Sequence, residues 1–127
     1  MFIKQAFDEF LSLEYTRVDF DQIKVKLPIV PLYLNSIGVV HGGIIATLAD
    51  VAIGNLLPIT NQECTQEVVT LDMNITYLEP ATGEYLIAVA SPVRIGKTII
   101  HGECKIYDDK NNIVANSSAI LKKIRGS

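Results

Sequence analysis

The chain has 127 residues and a mass of 14.0 kDa, the length of one domain and enough to bury roughly two-thirds of its unfolded surface without staples. Hydrophobic residues make up 49% and charged residues 20%, with mean hydropathy +0.30, which excludes a disordered chain and points to an oligomer interface or an apolar ligand tunnel. Eleven Lys and Arg against 14 Asp and Glu give a net charge of −3, so no broad basic footprint marks a nucleic-acid partner.

The first segment, 1–14, reads as a short amphipathic helix, because Phe2, Phe7, Phe10, Leu11 and Leu13 approximate a helical stripe. Lys4, Asp8 and Glu9 break the apolar run that a signal peptide needs. Residues 15–27 alternate in parts and read as one or two strands, after which Pro28 and Pro31 force an irregular loop. Residues 37–59 are almost wholly apolar, with His41 and Asp50 their only titratable residues. An Asp near the middle of a spanning helix costs about 2.5–3.5 kcal/mol, so a helix over 43–57, buried on nearly all sides and stopped by Pro58, is the better reading.

The remainder is β. Residues 67–78 alternate, with Val69, Leu71, Met73, Ile75 and Tyr77 on one face and Thr70, Asp72, Asn74 and Thr76 on the other. Strands over 85–95 and 98–107 meet through Gly96-Lys97, residues 108–112 form a turn by composition, and 113–124 closes the series. Gly126-Ser127 reads as a natural end or an expression scar. One apolar helix followed by four long strands predicts a single α+β domain over 1–127, a meander curled around its helix. Cys64 and Cys104 lie far apart in strand-like segments and match neither a disulfide framework nor a metal spacing, which fits a reducing, cytoplasmic setting.

The chemistry concentrates at Asn35…His41-Gly42-Gly43…Asp50. A Gly-Gly pair opening a helix exposes backbone N–H groups without intrahelical partners, and the helix dipole adds partial positive charge. That suits a developing oxyanion, although the same pair also serves a merely tight entry into a helix. Asp50 is the only charged residue within the helix, on a stripe with the mostly small Gly43, Ala46, Thr47 and Gly54. A carboxylate buried there without a partner would cost several kcal/mol, so it marks a site more readily than it serves folding. Gly42 and Asp50 are separated by about 12 Å at 1.5 Å per residue, too far to serve one carbonyl from one helix. Two antiparallel copies bring each glycine pair to the other's acid, which predicts a homodimer with two composite sites.

The sequence resembles hotdog-fold acyl-CoA thioesterases of the phenylacetate-pathway (PaaI-like) type, including animal members that act on medium- and long-chain acyl-CoA. Besides the helix segment, Leu71-Asp72-Met73-Asn74-Ile75-Thr76-Tyr77-Leu78-Glu79-Pro80 and Gly96-Lys97-Thr98 carry the resemblance, which runs from about Asn35 to Lys122. It implies a long central helix wrapped by a curved antiparallel sheet, dimerising, and a dimer of dimers. It implies that the Gly42 amide polarises a thioester carbonyl and that Asp50 of the partner chain is general base or nucleophile. Asn35 and Thr70 would position water or thioester, and His41 would support the loop. Gly43, Tyr77, Arg94, Ile95, Gly96, Lys97, Thr98 and Lys122 would contact coenzyme A, which is part of the substrate; no separate cofactor is implied. Arg94 and Lys97 beside a glycine also suit phosphates on charge alone, as they suit a solvated hairpin tip.

Other chemistries fit less well. Ser91 stands where a P-loop ending in Gly96-Lys97-Thr98 needs its first glycine, and a strand follows rather than a helix. No G-x-S-x-G elbow accompanies the glycines, His101 is solitary in a strand, and no metal-ligand spacing occurs. An acyl-CoA-binding module would keep the Arg94–Thr98 cradle without needing Asp50, and a hydratase of this fold would use a His–Asp pairing. Asn35, Thr70 and Asp50 together favour the hydrolase, and neither a nucleic acid nor a membrane is an expected partner.

Overall fold

The computed structural model describes residues 6–19, 22–57 and 67–125. In chain order these form α1 (Ala6–Phe10), β1 (Glu14–Asp19), β2 (Gln22–Pro28), a 3-10 turn (Pro31–Tyr33), α2 (Gly42–Gly54), β3 (Glu67–Tyr77), β4 (Tyr85–Ile95), β5 (Ile99–Asp108) and β6 (Ile113–Arg125). The strands make one antiparallel sheet in the order β1-β2-β4-β5-β6-β3, and α2 lies across one face. This is the expected α+β, hotdog-type arrangement. Cys64 and residues 1–5 of the first predicted helix lie outside the described residues.

Three expectations need correction. The first helix stops at Phe10 rather than residue 14, because Ser12 takes a left-handed φ of 58° and Leu13 already turns toward β1. The central helix covers 42–54 rather than 43–57, and its end is fixed by tertiary contacts: Arg17 donates to the Asn55 and Leu56 carbonyls at 2.9 and 3.2 Å. Those bonds satisfy C-terminal carbonyls and set a cation at the negative end of the helix dipole. Third, the four late strands are not a simple meander. β3 pairs with β6 at the sheet edge, and residues 78–84 carry the chain past β6 and β5 to β4. Seven residues reach at most about 25 Å, ample for three strand spacings of about 4.8 Å, so local sequence leaves strand order undetermined.

The core lies between α2 and the sheet. Ile23, Val25 and Leu27 of β2, Leu86, Ala88 and Ala90 of β4, and Ile100, Cys104 and Ile106 of β5 all face the helix and are buried. Their period of two is the signature of a sheet covered on one face. The helix answers with Ile45, Leu48, Ala49, Ala52 and Ile53. Gly102 lets it settle on β5, since a Cβ there would lie 2.7 Å from Leu56 Cδ1 and 2.8 Å from Ile53 Cγ2. Each large apolar side chain so buried contributes about 1.5–3 kcal/mol. In the single chain α2 is less enclosed than its composition predicts: Gly43 is exposed, and Ala46, Thr47, Asp50 and Gly54 are half-buried. The small-residue stripe is therefore the open side of the helix.

Candidate functional site

The approach to α2 is a tight loop. Leu34 and Val40 form an antiparallel bridge, and Gly38 takes a φ of 83°, a conformation costly for any side chain. Asn35 organises this loop: its Oδ1 accepts from the Ile37 and Val39 amides at 3.0 and 3.2 Å, and its own amide donates to Val39 O. The Val40 amide then donates to Ala81 O and the His41 amide to Tyr33 O, both at 2.9 Å. His41 is exposed and caps the helix with backbone only, making no side-chain cap bond. The Ile44 and Ile45 amides turn back to His41 O, whereas the Gly42 and Gly43 amides find no acceptor among the described residues. A helix start without a capping side chain, held from behind, offers two N–H groups to an incoming oxygen.

Two turns further on, Asp50 is half-buried and not alone. The Thr70 hydroxyl donates to Asp50 Oδ1 at 2.7 Å. Thr70 belongs to β3, where the alternation predicted from sequence put it on the face opposite Tyr77. The structure corrects this. Pairing of β3 with β6 slips between Thr70 and Asp72, leaving Leu71 as a bulged residue that is 56% exposed. A bulge adds one residue and reverses the facing of everything before it. Thr70, opposite buried Leu121, therefore shares the helix-facing side with Met73, Ile75 and Tyr77, while Val69 is 41% exposed on the other. At the far end of the strand the Tyr77 hydroxyl donates to Gly42 O at 2.7 Å. One strand thus touches α2 at both chemically interesting residues.

The Arg94–Thr98 turn lies at the Asp50 end. Ile95, Ile100, Leu121 and Thr70 are successive partners across four strands, so Thr70 and Ile95 are about 14 Å apart at three strand spacings. Lys122 pairs with both Ile99 and Val69 at the same end. The turn is closed by Gly96 N–H donating to Ile99 O at 2.8 Å, and a Cβ on Gly96 would strike that oxygen. Lys123 N–H holds Thr98 O at 2.8 Å. Arg94, Ile95, Lys97, Thr98 and Lys122 are exposed. The residues expected to contact coenzyme A are therefore split within one chain: Gly43 and Tyr77 stand at the helix entrance, and the cationic turn with Lys122 stands at the end of the sheet that carries Thr70 and faces Asp50.

A groove of about 380 Å³ opens next to Gly42, walled by Ile37, Val39, Val40, Ile45, Tyr77, Leu78, Pro80 and Ala81, with Glu79 the one charged lining residue. Sequence reasoning did not single out Ile37, Val39 or Leu78. The sequence shows only Ile37 beside Gly38; it is the structure that leaves Ile37 79% exposed instead of in the core. Among the described residues no group of three His, Cys, Asp or Glu could hold a metal ion. Burial pushes the Cys104 thiol up to about 12 and suits a packing role, and none of the described helices is long and apolar enough to cross a membrane.

The family model described as Thioesterase superfamily matches residues 37–115, from the glycine loop to the start of β6. The chain belongs to the thioesterase superfamily. Acyl-coenzyme A thioesterase 13 of Homo sapiens is 40% identical over 68 residues, a match covering 53% of this chain and 47% of that protein. The chain thus spans about half the length of that relative. The crystal structure of BH2602 from Bacillus halodurans with CoA is 35% identical, with a TM-score of 0.86 over 98% of this chain and 82% of that one. The E. coli PaaI protein of the phenylacetic acid degradation operon shares the fold, at 22% identity and a TM-score of 0.86 over 98% and 88% of the two chains. The resemblance drawn from the motifs to PaaI-type thioesterases is borne out at the level of family and fold.

Proposed function

We propose that this thioesterase-superfamily chain hydrolyses acyl-CoA thioesters to a free carboxylic acid and coenzyme A, at composite sites formed by two antiparallel copies. The observation that carries the reading is the division of labour along α2. Unpaired amides, Tyr77 and an apolar groove lie at its start; the carboxylate and its Thr70 partner lie about 12 Å further on, with a cationic turn at the same end of the sheet. Neither end suffices alone. A second copy laid antiparallel on the open stripe of α2 supplies Asp50, Thr70 and the Arg94–Thr98 turn to the first copy's Gly42. The coenzyme A phosphates would then meet Arg94, Lys97 and Lys122, and the acyl group the groove beside Gly42.

In the reaction, the Gly42 amide, with Gly43 beside it, donates to the thioester carbonyl oxygen and carries its charge as the carbon becomes tetrahedral. Asp50 takes a proton from water as that water attacks the carbonyl carbon; Thr70 holds the carboxylate by its other contact. The C–S bond breaks, the sulfur leaves with the bonding pair, and the proton held by Asp50 passes to it. Direct attack by Asp50, through a mixed anhydride that water then opens, uses the same geometry. Asn35 keeps the loop in shape, and His41 gives the helix its backbone cap. A cytoplasmic setting and pairing of dimers into a tetramer accord with this reading.

Complementation tests it. Asp50→Asn and Asn35→Ala chains are purified, shown to be inactive, and mixed under conditions that exchange subunits. Random exchange makes half the dimers mixed, each with one intact site, so thiol release should return to about a quarter of the wild-type level. No recovery after proven exchange overturns the composite site. An active wild type is required first; binding of acyl-CoA without turnover would identify a sensing module instead.

A further inference from the structure

We infer that Tyr77 is a positioning residue for the oxyanion donors, acting through the Gly42 carbonyl and not through contact with coenzyme A. Its kinetic consequence rests on the hydrolase reading above; its structural consequence does not. His41-Gly42-Gly43 is the least constrained way to begin a helix. Two successive residues lack a Cβ, and each glycine resists helical order more than alanine does. His41 provides no side-chain cap, and no acidic residue lies in the first turn. Helix ends built this way fray. The backbone clamps from Ala81 and Tyr33 end at Val40 and His41, one residue short of the donors.

Tyr77 takes over where those clamps stop. Its hydroxyl donates to Gly42 O at 2.7 Å, and its ring occupies the space a Gly42 side chain would need, with Cζ and Oη both 3.1 Å from an ideal Cβ. The residue is thus held at its carbonyl and against its α-carbon, and only its amide remains for a ligand. Gly43 is held through its carbonyl as well, by the Thr47 hydroxyl at 2.9 Å. Nothing else described reaches Gly42 from a side chain. The same ring makes glycine the easy fit at 42 although its φ is not left-handed: a Cβ there would press on Tyr77 at 3.1 Å, and the ring would have to give by a few tenths of an ångström, loosening the bond that orders the turn.

Tyr77→Phe removes the hydroxyl and keeps the ring, so folding is not at risk. Amide hydrogen exchange at Ile44 and Ile45, whose N–H groups close the first turn on His41 O, should quicken by roughly two- to tenfold, the worth of one ordinary hydrogen bond at a fraying turn. The kcat should fall by a similar factor while KM for acyl-CoA stays within about twofold. The same loss should appear with an acyl N-acetylcysteamine thioester, which lacks the nucleotide end of coenzyme A. Gly42→Ala, which presses on the ring, should lower kcat with little further loss when Tyr77→Phe is added. Unchanged exchange at Ile44 and Ile45 overturns the inference. So does a KM increase confined to the coenzyme A substrate, which would make Tyr77 a ligand contact. If the wild type releases no thiol from any thioester, the hydrolase reading fails, and the exchange result still decides what Tyr77 does.

Discussion

Replacing Asp50 with Asn is the perturbation in which catalytic and structural costs separate most widely. The side chain is half-buried at the open side of α2, and its one described contact is the Thr70 hydroxyl at 2.7 Å. An Asn carbonyl can accept that same bond, and Asn and Asp have similar helix propensities. The structural cost is thus the difference between a charge-assisted and a neutral hydrogen bond, about 1 kcal/mol. The kinetic cost is the loss of a positioned base, a factor of about 10²–10⁴, which corresponds to about 2.7–5.5 kcal/mol in the barrier. Thermal unfolding should therefore shift by only a few degrees while thiol release from a panel of acyl-CoA substrates falls at least a hundredfold. Thr70→Val, which leaves the carboxylate but removes its donor, should fall between, at roughly tenfold. Asp50→Asn activity within tenfold of wild type, at normal stability, would refute the assignment of the base.

Two further predictions concern the scaffold. Gly102→Val adds three carbons where Leu56 and Ile53 already sit within 2.8 Å of a hypothetical Cβ, so stability should fall by about 1–3 kcal/mol, visible as a lower Tm; an unchanged Tm would mean that α2 does not rest on β5 there. Burial raises the Cys104 thiol from an ordinary 9.0 to about 12, so the folded chain retains a proton that the unfolded chain loses. Stability should accordingly decline as pH rises above about 9, in urea titrations compared between pH 8 and 10, and Cys104→Ala should flatten that slope; an identical slope in the variant would assign it to other groups.

How much of this was legible beforehand follows from the range of the interactions involved. Local patterns suffice for the strands: the alternation of Ile100, Gly102, Cys104 and Ile106 is a period of two and nothing else. The intruding Asp50 was also visible, because it violates what a folding-only helix would contain, whereas the glycine pair alone suits a tight helix entry equally well. Strand order was not, since β3 pairs with β6 some 50 residues away across a connection long enough for several routes. Nor was the end of α2: Pro58 marks a latest stop, while the actual stop is set by Arg17, which arrives from β1. The residues expected to contact coenzyme A look like one list in sequence, and only the register shows that they occupy opposite ends of the sheet.

The bulge at Leu71 shows why side-chain alternation alone misplaces this site. Thr70 and Tyr77 are seven residues apart, and in a regular strand an odd separation sends two side chains to opposite faces. Yet both touch α2, at Asp50 and at Gly42. The helix requires contact at two points about 12 Å apart, whereas the core requires Met73 and Ile75 inward between them. A single extra residue satisfies both demands: it lets β3 keep its hydrophobic register toward Ala119 and Ser117 and still turn Thr70 inward at the far end. The displaced residue, Leu71, is left apolar and exposed on a sheet edge whose outer backbone groups have no partner strand among the described residues. An edge of that kind is normally blunted by charge, yet of the eleven residues of β3 only Glu67 and Asp72 are charged. The bulge that completes the acid's surroundings thus leaves the same strand suited to a neighbour, which is the arrangement a shared site requires.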